Sequence, residues 1–499
     1  MLRTLRRNAV ANRPHELPAP PAYLTLRGGL IALLAAIVLC WPMLAVNGPL
    51  FYADTAGYYS TGEKIFEIIG KRLEPTGDAA SPASPATSSA ANESGLQGIK
   101  LRSIPYSIYM FLASATPLGL ILACLLQGVA VLLMYFALVP RLDAAGKRRA
   151  AIGFVLLAAC TSLPWFVSYG MPDILAASVV VFYLVMLRRI DAMTWGQRIL
   201  IAALATAAVL AHYGHIPLAG ALAILIVAWR WFEKSLKPVV VVLSFAPVVL
   251  AAVFNFGAGK LSTGDGSIAP ARFPILLARS LEDGPARWYL EDACPQAGYA
   301  MCELSETIPT NVGAFLWSDQ GFRRATDAQV EAIRNEESEI LLEAFKRYPM
   351  AQTKALFGNA ALQSVTLGTG EMWISAEGRR SLDPGTLGGG KAAKSDRTLL
   401  LFDTVIPVFT WISAAILVVL TFRGRLSRDM TLLFAFIVAA LVINAAIFGG
   451  LSAPVDRYQS RIVWLLPALL ALRFAVGRRD EGRDVIHRQG NTKFRNFAS

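Results

Sequence analysis

The feature that most restricts this chain is a series of long apolar runs. Residues 29–46, 118–139, 174–187 and 239–254 are almost free of charge. Runs near twenty residues match the hydrocarbon core of a bilayer, where every backbone N–H and C=O must find a partner within the protein. Only helices and closed barrels meet that condition. The runs lack the apolar–polar alternation of barrel strands, so they predict helices. Composition agrees: of 499 residues 55% are hydrophobic and 16% charged, and the mean hydropathy is +0.48. An ordinary soluble domain carries roughly 25% charged residues. The expected fold is an all-α polytopic membrane protein.

The net charge of +12 invites a nucleic-acid partner, but the distribution of the charge argues for no nucleic acid. Basic residues cluster in short segments beside the apolar runs. These are Arg3/Arg6/Arg7/Arg13, Arg141/Lys147/Arg148/Arg149, Arg188/Arg189/Arg198, Arg230/Lys234/Lys237, Arg423/Arg425/Arg428 and the tail 473–495. With the N-terminus inside and about ten transmembrane helices, all six fall on the cytoplasmic side. The expected spans are 28–46, 116–139, 150–168, 172–188, 198–213, 215–232, 237–256, 399–421, 429–449 and 461–477. The first run is longer than a signal-peptide core and has no clear cleavage site, so it reads as a retained helix. The expectation is a protein of the bacterial cytoplasmic (inner) membrane with both termini cytoplasmic.

Five parts follow. A basic tail (1–27) precedes transmembrane helices 1–7 (28–256), which include a first outer loop at 47–115. A large extracytoplasmic loop (257–398) leads to helices 8–10 (399–477) and a second basic tail (478–499). Neither a solenoid repeat nor an inverted duplication is visible. Within the first outer loop, 54–71 predicts a helix capped by Asp54 or Thr55, with Tyr58, Ile65, Ile68 and Ile69 along its apolar stripe. Residues 74–98, rich in Ala, Ser, Pro and Thr, predict a flexible insertion carrying the sequon Asn92-Glu93-Ser94. Residues 102–115 are semi-apolar and are expected at the interface. In the second loop, 326–348 predicts an amphipathic helix with Val330, Ile333, Ile340, Leu341 and Phe345 inward. Residues 381–395 read as a linker.

Three of five cysteines, Cys40, Cys124 and Cys160, lie in spans and suit packing. Cys294 and Cys302 bracket a short turn in the second loop, where an oxidising compartment would join them. The rival, a metal pair, has no neighbouring His or third Cys. Trp41, Trp165 and Trp464, at span ends, are expected in an aromatic belt.

Polar residues gather at one predicted face. Asp54 lies in Phe51-Tyr52-Ala53-Asp54-Thr55-Ala56-Gly57-Tyr58-Tyr59, and Asp173 follows Pro172 at the start of the fourth span. His212 and His215 occupy the turn between spans five and six, whereas His15 and His487 lie in the tails. Arg457 and Arg461 fall in Asp456-Arg457-Tyr458-Gln459-Ser460-Arg461. Carboxylates with arginines beside them suit acid/base chemistry on a phosphate-bearing substrate. Each residue also has a structural explanation. Asp54 and Asp173 are well placed to cap helices, the histidines to be satisfied interfacial residues, and the arginines to pair with Asp456 or bind lipid headgroups.

An acid just after the first span resembles the arrangement of GT-C superfamily glycosyltransferases, multi-pass enzymes that use polyprenyl-phosphate sugars as donors. Asp54 with Tyr58 is similar to the Asp-x-x-x-Tyr pattern of their first loop. Arg102-Ser103-Ile104-Pro105-Tyr106 is similar to the Arg/Pro/Tyr segment that follows it. The Cys294/Cys302 turn, Phe315-Leu316-Trp317 and the ending from Asp456 to Trp464 look like an uncharacterised family of bacterial membrane proteins with the same plan. By this resemblance Asp54 is the general base and Asp173 a supporting catalytic carboxylate. Arg457 and Arg461 hold the lipid phosphate and Tyr58 and Tyr106 shape the sugar pocket, with Arg102, His212 and His215 as further candidate substrate-binding residues. The implied partners are a lipid-linked sugar donor and membrane lipids. Many members carry two adjacent acids in this loop, and here Asp54 is followed by Thr55. The resemblance therefore implies no certain cofactor and leaves a divalent metal open. The competing functions are a transporter or flippase for a lipid-linked glycan and a non-catalytic envelope assembly protein. Transport expects charges within the spans, and the middle of these spans is nearly free of charge.

Overall fold

Every long apolar run becomes helix in the computed structural model, which describes residues 23–46, 48–73, 102–263, 266–269, 272–294, 296–307, 311–318, 321–322, 325–370, 372–374 and 397–477. The expected insertion at 74–98 with its sequon, the linker at 381–395, and the tail segments 1–22 and 478–499 lie outside the described residues. Among the described residues six helices are long and apolar enough to cross a membrane: Leu26–Ala45, His215–Phe232, Pro238–Leu261, Leu401–Phe422, Arg428–Gly450 and Asp456–Val476. The architecture is that of an all-α membrane protein.

Helix α1 (Leu26–Leu39) continues through a turn, Trp41–Ala45, to a two-residue strand, β1 (Leu50–Phe51). Helices α2 (Ala53–Leu73) and α3 (Ile104–Ser114) then form a close pair. Gly62 makes that closeness possible, because a Cβ there would stand 2.3 Å from the Ser107 carbonyl. The pairing buries Tyr106, Ser107, Met110 and Ala113, so 102–115 is a packed helix rather than a lone interfacial segment. The expected spans at 116–139, 150–168 and 172–188 appear as shorter helices, and 198–213 as one of equal length displaced by three residues. These are α4 (Leu120–Phe136), α5 (Ala144–Cys160), α6 (Leu175–Arg188) and α7 (Trp195–Leu210). Turns consume the missing residues, notably the 3₁₀ turn Pro172–Ile174 ahead of α6. Every residue of α6 from Ala176 to Leu187 is buried. A helix apolar on all sides has no solvent face to present, and α6 accordingly lies at the centre, packed against α4, α7 and four later helices.

Helices α8 (His215–Phe232) and α9 (Pro238–Thr263) follow. Next, α10 (Ile275–Asp283), α11 (Pro285–Ala293), α12 (Val312–Trp317) and α13 (Asp327–Arg347) enclose a separate core that includes Leu277, Leu290, Met301, Phe315, Ile333 and Ile340. Cys294 and Cys302 form a disulfide across their turn. Thr326 caps α13 through a capping box with Gln329. The inward stripe of α13 is Ile333, Glu337, Ile340 and Ala344, and Phe345, expected inward, is exposed. At 3.6 residues per turn, Phe345 lies a further 100° round from Ala344. Glu337 occupies the stripe because it accepts from the backbone N–H of Leu277 and pairs with Arg272.

Helix α14 (Pro349–Val365) leads to strand β2 (Trp373–Ile374), antiparallel to β1. Helices α15 (Arg397–Phe422), α16 (Arg428–Asn444), α17 (Asp456–Val463) and α18 (Leu465–Val476) complete the bundle. Between α16 and α17 the chain winds as a π-helical segment, Ala445–Gly450. There α14 approaches so closely that a Cβ on Gly449 would lie 2.2 Å from Gln363 Cβ.

The described basic segments, 141–149, 188–198, 230–237 and 423–428, collect at one end of the bundle. Arg188 pairs with Glu233 and Asp429, Arg428 with Glu233, and Arg230 and Lys237 with Asp191. The aromatic-belt expectation fails for Trp165 and Trp464. Both are fully buried, the first against Trp41 and Phe402, the second near Tyr135. Position at a span end says nothing about which neighbouring helix covers the ring.

Candidate functional site

At the opposite end of the bundle, chain reversals bring the polar residues singled out above into one cluster. Strand β1 places Tyr52 and α2 there, because Leu50 pairs with Ile374 and also bridges the Ser168–Gly170 backbone. Thr55 is buried, its hydroxyl accepting from Tyr52 N–H at 3.0 Å. Asp54 lies in the first turn of α2 but does not cap it. Its Oδ1 accepts from Arg102 Nη2 at 2.5 Å, and Oδ2 has no other partner among the described residues. Arg102 reaches across because Ser103 caps α3 and Pro105 begins its first turn. The Arg102 guanidinium also lies over the Tyr58 ring, 5.9 Å from its centroid. Tyr58 and Tyr106 are buried edge to face at 4.9 Å, and the Tyr106 hydroxyl donates to Gln127 Oε1. These two tyrosines present almost no free surface; they hold α2 and α3 at the spacing that joins Asp54 to Arg102.

Asp173 likewise makes no capping bond. It pairs with Arg461 at 3.3 Å, and both are deeply buried, 3% and 0% exposed. Arg461 donates further to Asn444 Oδ1 at 3.1 Å and stacks over Phe448 at 3.9 Å. Asn444 in turn donates to the Tyr458 carbonyl and to Gln459 Oε1. Arg461 is thus held on three sides.

Arg457 differs. It is 8% exposed, stands 4.1 Å over the Tyr52 ring and 5.0 Å from the Tyr458 ring, and has the Tyr169 hydroxyl beside it. Among the described residues no carboxylate lies within ion-pair distance of it, and its Nε and Nη1 have no hydrogen-bond partner. A buried cation with unused N–H groups is costly to fold. Such a group is suited to receive an anion.

His215 is buried, and its Nδ1 donates to the Ala208 carbonyl at 2.7 Å. His212, in the turn after α7, accepts from Gly214 N–H at 3.0 Å. Desolvation, followed by the charges of Arg461, Arg457 and Arg102, holds the His212 imidazole well below its ordinary range.

Residues not foreseen from the sequence complete the frame. Gln363 of α14 donates to the Val455 carbonyl and accepts from its N–H, both at 2.9 Å, which fixes the entry to α17. Ser460 accepts from Gly368 N–H, and Asp403 accepts from both Thr369 N–H and its hydroxyl. Asn444 had a readable signal, as a lone strongly polar residue in the apolar run 429–449. Asp403, the one acid in the apolar run 399–421, had the same signal; Gln363 had none.

Among the described residues no three His, Cys, Asp or Glu side chains converge, and Asp54 is engaged by a cation. No protein-family model, curated protein or solved structure matches this chain.

Proposed function

We propose that this chain is a membrane glycosyltransferase that uses a polyprenyl-phosphate-linked sugar donor at the outer face of the cytoplasmic membrane. In this reading the ten apolar helices all cross the membrane, and the basic end faces the cytoplasm. The observation that carries the proposal is Arg457, a buried guanidinium with unspent N–H donors that stands over the ring of Tyr52, two residues before Asp54 in the chain. A phosphate oxygen at Arg457 would satisfy those donors. Asp54 Oδ2 would take the proton of the acceptor hydroxyl as that oxygen attacks the anomeric carbon. The bond from anomeric carbon to phosphate oxygen breaks with inversion, and the departing polyprenyl phosphate carries the electron pair and the growing negative charge. Arg457 would stabilise that charge where it develops. Arg461 and Asp173, tied to each other, would position α17 and act on substrate through Arg457. Tyr58, Tyr106 and Arg102 would orient Asp54 in the same way.

Binding of polyprenyl phosphate to the purified protein tests the anion site. Replacing Arg457 by Gln is expected to weaken binding roughly tenfold to a hundredfold, the range for losing a charge-assisted hydrogen bond. Unchanged affinity in Arg457→Gln would remove the central support for this function.

A further inference from the structure

A second site lies at the basic end of the bundle. A cavity of about 720 Å³ opens between α1, α4, α5 and α18. Its mouth is set by Arg27, Arg141 and Lys147, all exposed, and its interior by apolar side chains that include Leu132, Leu157 and Trp464. Ala475 also lines it. That residue is fourteen positions beyond Arg461, about 20 Å along the helix axis, so the mouth is remote from the cluster described above.

Three features define the occupant. Volume and lining match a small-molecule site, since such sites run from roughly 300 to 1,000 Å³ and are mostly apolar. Among the described residues Arg27, Arg141 and Lys147 make no ion pair, and no Asp or Glu lines the cavity. The nearest acid in sequence, Asp143, is used to cap α5 through Gly146 N–H at 2.6 Å. Finally, Ile31, an exposed residue of α1, lines the cavity wall, so the interior opens sideways to the surroundings of the bundle. The chain's own N-terminal segment is a poor occupant, because Arg3, Arg6, Arg7 and Arg13 give it the same sign as the mouth.

We infer that this cavity binds an anionic phospholipid, its phosphate at Arg27, Arg141 and Lys147 and one acyl chain in the interior toward Trp464. A phosphodiester headgroup matches the unpaired cations, and a hydrocarbon chain matches the wall. The inference requires only that the bundle sits in a bilayer, and it is independent of the proposed transferase activity.

The test is native mass spectrometry of the delipidated full-length protein titrated with phosphatidylglycerol or with phosphatidylcholine of the same chains. Wild type is expected to prefer phosphatidylglycerol. The double variant Arg141→Glu/Lys147→Glu should bind it at least about thirtyfold more weakly, from roughly a factor of five per cation lost. Arg148→Glu, an exposed charge on the same helix outside the cavity, should bind as wild type. A phosphatidylglycerol with a photoreactive acyl terminus should label peptides containing Leu157 or Trp464. Equal retention of phosphatidylcholine, binding indifferent to the charge reversals, or labelling confined to outward residues such as Val242 and Val249 would each overturn the inference. If lipid binds only after deletion of residues 2–22, the cavity belongs to that segment instead.

Discussion

Removing Asp173 separates the buried part of the cluster from its rim. Asp173 and Arg461 lie 3.3 Å apart at 3% and 0% exposure. At an effective dielectric near 20 their attraction is about 5 kcal/mol, most of it offset by the desolvation of both ions. Deleting one partner forfeits the attraction while the other stays buried, which typically costs about 3–5 kcal/mol. Arg461 keeps one bond to Asn444 and its place over Phe448, so Asp173→Ala should fall at the low end, about 3 kcal/mol. The Asp54–Arg102 pair has side chains 18% and 27% exposed and is shared with solvent. Asp54→Ala should therefore cost about 1 kcal/mol or less. Reversible unfolding in mixed micelles, followed by fluorescence of the buried Trp165 and Trp464, measures both. The double variant Asp173→Leu/Arg461→Met removes the stranded charge and should recover much of the loss. An Asp173→Ala variant as stable as Asp54→Ala would refute the reasoning that this pair is a buried structural tie.

Gln363→Ala deletes both bonds to Val455 and should cost about 2 kcal/mol in the same assay, since two backbone groups lose partners; a change below about 0.5 kcal/mol would show that α14 does not fix α17. At the basic end, burial works to raise the pKa of Asp191, but the hydrogen bonds and charges of Arg230 and Lys237 outweigh it and hold the carboxyl below its ordinary value. A lowered folded pKa means that this stabilisation is present above the unfolded value of about 3.9 and is lost as pH falls through the lower folded one. Unfolding free energy should therefore drop more steeply below about pH 4 in wild type than in Asp191→Asn, and parallel curves would contradict the assignment.

The helical architecture was legible because hydropathy alone requires it: an uncharged run such as 239–254 has few other fates. The polar cluster was legible for a related reason. Charged residues such as Asp173 and Arg461 beside apolar runs are costly to place, so they are conspicuous. Their partners were not legible. Asp54 meets Arg102, and Asp173 meets Arg461 from 288 positions away, through the packing of α6 against α17. Helix caps were the local alternative for both acids, and tertiary charges displaced them. Trp165 and Phe345 show the same limit, since periodicity gives a side chain's direction around its helix but not what lies beyond it. Gln363 was invisible because its work is done on the backbone of a segment 92 residues away.

The most direct test of the transferase account is release of polyprenyl phosphate from polyprenyl-phosphate sugars by the purified, lipid-reconstituted protein, comparing wild type with Asp54→Asn. The account predicts turnover in wild type and its loss in Asp54→Asn, by a factor of roughly a hundred or more, in a protein that unfolds at the same point. Turnover that survives the substitution would contradict the account.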